Sequence, residues 1–488
     1  MSARTVLSAA DYLSALVDDG SYESWDTAPK QPSTGAADYP AELAAAAVHS
    51  GADESVLTGS ARICGQPVVV LVSEFGFLGG SIGEAAAERL VAAITRATAL
   101  GLPILAAPAS GGTRMQEGTP AFVRMSSIAA AVRAHKDAGL LYVVHLRHPT
   151  TGGTMASWGG LGQMTWAEPG ALTGFLGPKV YRGLYHRDFP RDVQRAENLH
   201  RVGLVDRVAD VEVVRWEVGL LLDLLASPLE PDEVSDMKVG ARVEQGDVDA
   251  GPTADVWASV VATRRPDRPA LTEFLAGAAT ELLPLNGTGA GERDRSVVVA
   301  FARIAGTACV VVGQDRAAQV AGAPLGPAGL RQARRGFRVA RELGLPVVTV
   351  VDTPGADLSR DAEEGGLAFE IARCLEDLTT HPHPTVCVLL AEGTGGGALA
   401  LVPAQHAVAT SASWLAALPP EGASVISHGV TDRAADLARA QRIGAYDLRA
   451  AGVVHAVVAV SGEDLVAAYP EIVEEIRQGF STRRTCSR

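Results

Sequence analysis

Residues 83–112, GEAAAERLVAAITRATALGLPILAAPASGG, have a partner in residues 326–355, GPAGLRQARRGFRVARELGLPVVTVVDTPG. In each, a glycine opens an amphipathic run, a GLP triplet follows 18 residues later (Gly101, Gly344), and a second glycine (Gly112, Gly355) closes a short apolar segment; matched positions are 243 residues apart. Outside this window LYVVHL (141–146) and TVCVLL (385–390) pair up, as do TTGGTMASW and GTGGGALAL after them, and AENLHRVGLVDRV (196–208) matches AYDLRAAGVVHAV (445–457). Several aligned blocks in one order are the signature of an internal duplication.

Each repeat reads strand, Gly-rich loop, helix, GLP, strand, Gly-rich loop. The strands are short β-branched runs such as PVVVLV and CVVVG, and the helices between them are long. Uninterrupted apolar strands alternating with helices predict α/β domains with parallel sheets flanked by helices. The expected organisation is an N-terminal extension (1–50), a first domain (51–226), an acidic Pro-containing linker (227–252) and a second domain (253–480).

The 488 residues suffice for two domains of about 200 residues each. Hydrophobic residues at 47% and charged residues at 20% describe an ordinary globular chain. A net charge of −14 argues against a nucleic-acid partner, which needs a basic surface. None of the five cysteines forms a CxxC pair, so neither a zinc ribbon nor a disulfide framework is expected. The first residues lack the basic and apolar regions of a secretory signal, and no long uncharged apolar stretch suggests a membrane span; the expected location is cytoplasmic.

Chemistry is expected at two Gly-rich strand-to-helix turns, Thr151-Gly152-Gly153-Thr154 and Gly395-Gly396-Gly397-Ala398. Glycine lets a ligand approach the backbone, and the first N–H groups of a helix have no partner within it, so such a turn can hold an oxygen that becomes negative during reaction. Taken singly, either turn could equally serve close helix–sheet packing. No acid/base pair of side chains stands beside either turn in the sequence.

Three weaker signals are set aside. Gly79-Gly80-Ser81-Ile82-Gly83 has the spacing of a hydrolase nucleophile elbow, but Phe75–Leu78 separates it from the strand, and the second repeat has Pro324 where Ser81 stands. Asp236-Met237-Lys238-Val239 faintly resembles a biotin-attachment site but lies in the linker. His381 and His383 sit among prolines with no third metal ligand in reach, so no metal is expected.

The blocks SGGTRMQEG (110–118), HPTTGGTMASWG (148–159), AEPGALTGFLGPKV (167–180) and QRAENLHRVGLVD (194–206) resemble the β subunit of acetyl-CoA carboxylase carboxyltransferase. RRPDRP (264–269), LPVVTVVDTPGA (345–356), AEEGGLAFEIARCLEDL (362–378), AEGTGGGALA (391–400) and PPEGASVI (419–426) resemble the α subunit. The resemblance spans about residues 50–460 in β-then-α order and implies two tandem crotonase-type domains. It implies transfer of CO₂ from carboxybiotin to the α-carbon of an acyl-CoA, giving malonyl-CoA or a homologue, with the biotin nitrogen removing the α-proton. It places the thioester enolate oxygen at Gly152 and Gly153, and the ureido oxygen of biotin at Gly397 and Ala398. Gly111, Gly112, Arg114, Gly355 and Gly396 are implied to lie near the substrates, with Arg114 either a CoA contact or a structural ion pair. The implied partners are a biotin carboxylase, a biotin carboxyl carrier protein bearing the cofactor, and a second copy of the chain. A malonyl-thioester decarboxylase and a non-catalytic scaffold paralogue are the alternatives. The chain departs from the family in lacking the zinc ribbon, in reading AEEGGL (362–367) where AEERGQ is usual, and in placing Ala328 where a PEG triplet is usual.

Overall fold

A computed structural model describes residues 6–32, 35–226, 255–460 and 464–481. The segments assigned to the linker and to the faint biotin-attachment motif lie outside them. The described residues divide into two compact units, one running up to 226 and including 289–291, the other running from 255 to 288 and from 292 onward.

The first unit is built on a seven-stranded sheet. Its strands Gln66–Ser73, Ile104–Ala107, Tyr142–Leu146, Met164–Ala167 and Arg207–Val208 are mutually parallel. The second unit repeats the order with Thr307–Gln314, Val347–Thr353, Thr385–Thr394, His406–Thr410 and Ala456–Val458. The alternation of apolar runs and helices predicts these parallel ladders. It does not predict that each sheet opens with an antiparallel hairpin, Val56–Ile63 with Gln66–Ser73 and Val297–Ile304 with Thr307–Gln314. The hairpins turn on Cys64-Gly65 and Ala305-Gly306, all four residues at positive φ. That is the conformation a two-residue turn needs to match strand twist, and only its second position is a glycine here.

The long helices Glu84–Leu100 and Pro327–Leu343 each have 17 residues, begin after a glycine and end on a left-handed glycine, Gly101 (φ 67°) or Gly344 (φ 70°). The GLP triplets are therefore helix stops followed directly by a central strand. Leu90, Ile94, Val69, Leu71 and Trp158 belong to the core of the first unit; Val311, Val348, Val388, Phe274 and Ile476 belong to that of the second. Fully burying one such side chain is worth about 1.5–3 kcal/mol.

The first fifty residues do more than precede the first domain. Tyr12, Leu13, Leu16 and Tyr39 are buried in the first unit. The Tyr12 hydroxyl meets Nδ1 of His145 at 2.8 Å, in the middle of a central strand. Among the described residues, no helix is long and apolar enough to cross a membrane.

Candidate active site

Both Gly-rich turns form where a central strand gives way to a very short helix. In the first unit the helix is Gly152–Met155, reached through Thr150–Thr151; in the second, Gly395–Leu399 continues directly from the strand Thr385–Thr394. Gly152 (φ 62°) and Gly395 (φ 67°) open these helices in the left-handed region, which costs an ordinary residue about 1–2 kcal/mol. They are the register partners across the repeat. Gly397 and Ala398 are thus the third and fourth residues of their helix, buried, whereas Gly152 and Gly153 are the first and second of theirs and partly exposed.

A second loop backs each turn. The Gly112 N–H donates to Ser110 Oγ at 3.0 Å, and the Gly355 N–H donates to Thr353 Oγ1 at 3.1 Å. The same loops are tied to the entry of the long helix by the bridges Ile82–Thr113 and Leu325–Ala356. A side chain on Gly112 (φ 113°) would stand 3.3 Å from Gly152 Cα and from the Gly153 nitrogen. Gly111, whose N–H donates to the Gly79 carbonyl at 3.0 Å, is exposed on the same loop. Gly355 (φ 126°) faces Thr394, the residue before the second turn. A Cβ on Gly153 would lie 2.9 Å from Thr113 Oγ1, one on Gly396 2.9 Å from Ile371 Cδ1, and one on Gly397 3.0 Å from the Ala356 nitrogen. The predicted glycines are therefore gathered by the fold into two equivalent sites, one in each unit.

The anchors of the two turns differ. In the first, the Gly152 N–H donates to the Phe175 carbonyl at 2.8 Å, Ser157 Oγ donates to the Gly153 carbonyl at 2.6 Å, and Thr154 Oγ1 meets Ser110 Oγ at 3.0 Å. In the second, Gln314 Nε2 donates to the Gly397 carbonyl at 2.7 Å. The sequence offers no signal for Gln314, because it ends a strand where the first repeat has Ser73.

Arg114, open in the sequence between a CoA contact and a structural ion pair, has the surroundings of the latter. It is 1% exposed and ion-paired with Glu54 and with Glu117 (3.3 Å), and it also donates to the Ser81 carbonyl at 2.8 Å. Its hydrogen bond to Glu54 is the chief interaction keeping it protonated against burial. Every direction of its fork is taken inside the unit, so it is a structural ion pair and not a contact for CoA. Ser81 follows a tight turn, Leu78–Gly80, rather than a strand, and its hydroxyl accepts from Arg114 Nε at 3.4 Å.

Two buried acidic side chains, on the strands that lead to the second turn and to the loop behind it, are engaged. Asp352 accepts both prongs of Arg268 at 2.6 and 2.8 Å, and Glu392 is held by Arg264 (3.3 Å) and Arg316 (3.1 Å). Burial raises both carboxyls above their ordinary range, and the arginines oppose that. His381 is buried with Nδ1 3.2 Å from the His383 carbonyl; among the described residues, no group of three acidic, His or Cys side chains is placed to hold a metal. The Gly152 N–H is taken by the Phe175 carbonyl, so the backbone N–H groups that can stabilise a developing oxyanion lie further along each short helix.

Comparison with known proteins agrees with this geometry. The carboxyl transferase domain profile matches residues 8–479. The probable biotin-dependent acyl-coenzyme A carboxylase beta3 subunit of Mycobacterium tuberculosis is 50% identical over 461 residues, covering 94% of this chain and 89% of that one. The acetyl-coenzyme A carboxylase carboxyl transferase subunits beta/alpha of Salinispora arenicola are 37% identical over 473 residues, covering 93% and 83%. The transcarboxylase 12S crystal structure, a hexamer with hydrolysed methylmalonyl-coenzyme A bound, superposes with a TM-score of 0.78 at 21% identity over 99% of this chain and 91% of that one, a likeness of fold. With its duplicated crotonase-type fold and a match running almost from end to end, this chain belongs to the carboxyl transferase family and is a carboxyltransferase.

Proposed function

We propose that the chain is the carboxyltransferase component of a biotin-dependent acyl-CoA carboxylase. The observation that carries this reading is the duplicated backbone device: two Gly-rich turns of one construction at matched strand-to-helix junctions. Transfer of a carboxyl group between two carbonyl compounds needs two oxyanion sites, one for the thioester enolate and one for the ureido oxygen. The first turn, Gly152–Gly153, holds the thioester oxygen as the α-carbon loses its proton and gains the carboxyl carbon, with Gly153 as the donor because the Gly152 N–H is spent on the Phe175 carbonyl. The second, Gly397-Ala398, holds the ureido oxygen, with Gly396 beside it. Carboxybiotin, brought on a carrier protein, supplies the CO₂ and the proton acceptor. Gly111, Gly112 and Gly355 keep the loops beside the turns free of side chains.

The substrate is acetyl-CoA or another short acyl-CoA, giving malonyl-CoA or its homologue, and the setting is cytoplasmic. A biotin carboxylase and a carrier protein complete the complex. The chain works as a homo-oligomer in which the first turn of one copy serves the second turn of another. Exposed apolar side chains at matched positions beside the loops, Met115 with Leu358 and Phe175 with Leu418, support a contact of this kind. Mixing a Gly153→Val variant with a Gly397→Val variant then restores part of the activity through hybrid sites, and a fully active monomer would contradict the arrangement.

The deciding experiment supplies malonyl-CoA or methylmalonyl-CoA with and without biocytin and measures CO₂ release. Slow, biocytin-dependent release is expected, slow because an untethered acceptor lacks the effective concentration of a carrier. Equal release without biocytin would make the chain a dedicated decarboxylase, and no release under any condition would leave a scaffold. Carboxylation by the reconstituted complex, compared across acetyl-, propionyl- and butyryl-CoA, fixes the acyl chain.

A further inference from the structure

The peptide group between Gly397 and Ala398 carries the Gly397 carbonyl on one side and the Ala398 N–H on the other. Its carbonyl is gripped by a fully buried side chain: Gln314 Nε2 donates to it at 2.7 Å. The other end of the same amide accepts from the Asp352 N–H at 3.3 Å. Asp352 is itself clamped by both prongs of Arg268 and accepts weakly from the Glu392 N–H at 3.4 Å, two residues before Thr394. Gln314 therefore ties the first turn of the short helix to the ion-paired floor of the sheet.

A hydrogen bond to a carbonyl polarises the whole peptide group and makes its N–H a better donor, and a low-dielectric interior strengthens the effect. It also fixes the plane of the peptide, so the N–H need not reorient as charge develops. The first unit grips its turn differently: Ser157 Oγ, two residues beyond the short helix, donates to the Gly153 carbonyl at 2.6 Å and lies 3.4 Å from that of Thr154, while the position matching Gln314 is Ser73, whose hydroxyl is buried and unpartnered. The geometry points to Gln314 as a positioning residue for the second oxyanion turn, acting through the Gly397–Ala398 peptide and serving the biotin half of the reaction only. This inference rests on the reading of that turn given above.

The test uses the full chain with malonyl-CoA or methylmalonyl-CoA and the biotinylated carrier, and two variants. Gln314→Met keeps the volume and removes both hydrogen bonds. Gln314→Leu removes both hydrogen bonds with a different apolar shape. In both, kcat for carboxyl transfer falls about tenfold, the cost of one polarising hydrogen bond, while KM for the CoA thioester stays within about twofold. A kcat equal to wild type in either folded variant overturns the proposal, as does a raised KM for the thioester with kcat unchanged. Gly397→Val run beside them separates the two layers: if it too keeps full activity, the reading of the turn falls and the role of Gln314 with it; if it is dead while both Gln314 variants match wild type, only the role of Gln314 falls.

Discussion

The two halves share a backbone and differ in almost every side chain that supports it. Where the first half buries Arg114 between Glu54 and Glu117, the matched positions of the second half are Asp357, Arg295 and Arg360, a charge-reversed set in which both arginines are exposed. The carboxylate of Glu117 accepts the N–H of Glu84, which opens the first long helix; in the second, Pro327 stands at that position and has no N–H to satisfy. The first half can bury its cluster because Tyr39, from the N-terminal segment, closes over it and donates to Glu117. One problem, the orphan donor at a helix start, thus has two solutions, while the turns themselves remain alike. The fold conserves the positions of N–H groups and leaves their supports free to diverge.

The largest test of that contrast is Arg114→Met. It strands two buried carboxylates and is expected to cost about 3–5 kcal/mol, read as a fall in urea midpoint with hydrogen-exchange protection lost first in the first unit. Arg360→Met, at the position that matches Glu117, breaks only an exposed pair with Glu364 and is expected to change stability by no more than about 0.5 kcal/mol. Equal effects in the two halves would end the distinction.

Next come the turns. Gly153→Val and Gly397→Val should each lower the transfer rate by about 10²–10³, roughly 3–4 kcal/mol in the barrier. The routes differ: the Gly153 side chain presses on the movable Thr113 and Met125, whereas the Gly397 side chain presses on the backbone of Ala356. Gly397→Val should therefore also lower the melting temperature more than Gly153→Val, which calorimetry beside single-turnover rates will show.

Acid sensitivity is the third difference. Burial pushes the His145 imidazole down to about 3, and the matched residue in the second half is Val388. A histidine depressed in the fold is neutral there while its unfolded form takes up a proton below its ordinary value near 6.5. Stability from this site is therefore fully present above about pH 6.5 and is lost as pH falls toward 3, by about 1.4 kcal/mol per pH unit. Hydrogen exchange at pH 7 and pH 5 should show the first unit loosening, and His145→Gln should flatten that slope. Equal loosening of both units would assign the effect elsewhere.

The smallest expected effect is at the hydroxyls behind the turns. Ser110→Ala and Thr353→Val each remove the acceptor of one glycine N–H, a loss of about 1 kcal/mol. Because the two play one part, the losses should agree within error; a large inequality in thermal midpoint would show that the loops are not equivalent.

Much of this was legible without coordinates. The 243-residue period, the GLP helix stops and the glycines of both turns are local signals, set by backbone conformations that few other residues adopt. What the sequence leaves open is of another kind. Arg114 could pass for a ligand contact because its chief partner, Glu54, lies 60 residues away. The first fifty residues read as an extension because nothing local shows that Tyr12 and Tyr39 enter the core of the next domain.

The sequence by itself therefore determined the duplication, the α/β class and the sites where backbone approaches backbone, since periodicity and glycine placement are properties of short segments. Only the tertiary structure decided which charges are buried together, which end of each sheet carries an antiparallel hairpin, and that Gln314 reaches a carbonyl 83 residues further along the chain. Those outcomes depend on pairing between distant segments, where a single side chain acquires its role from what packing places within about 3 Å of it.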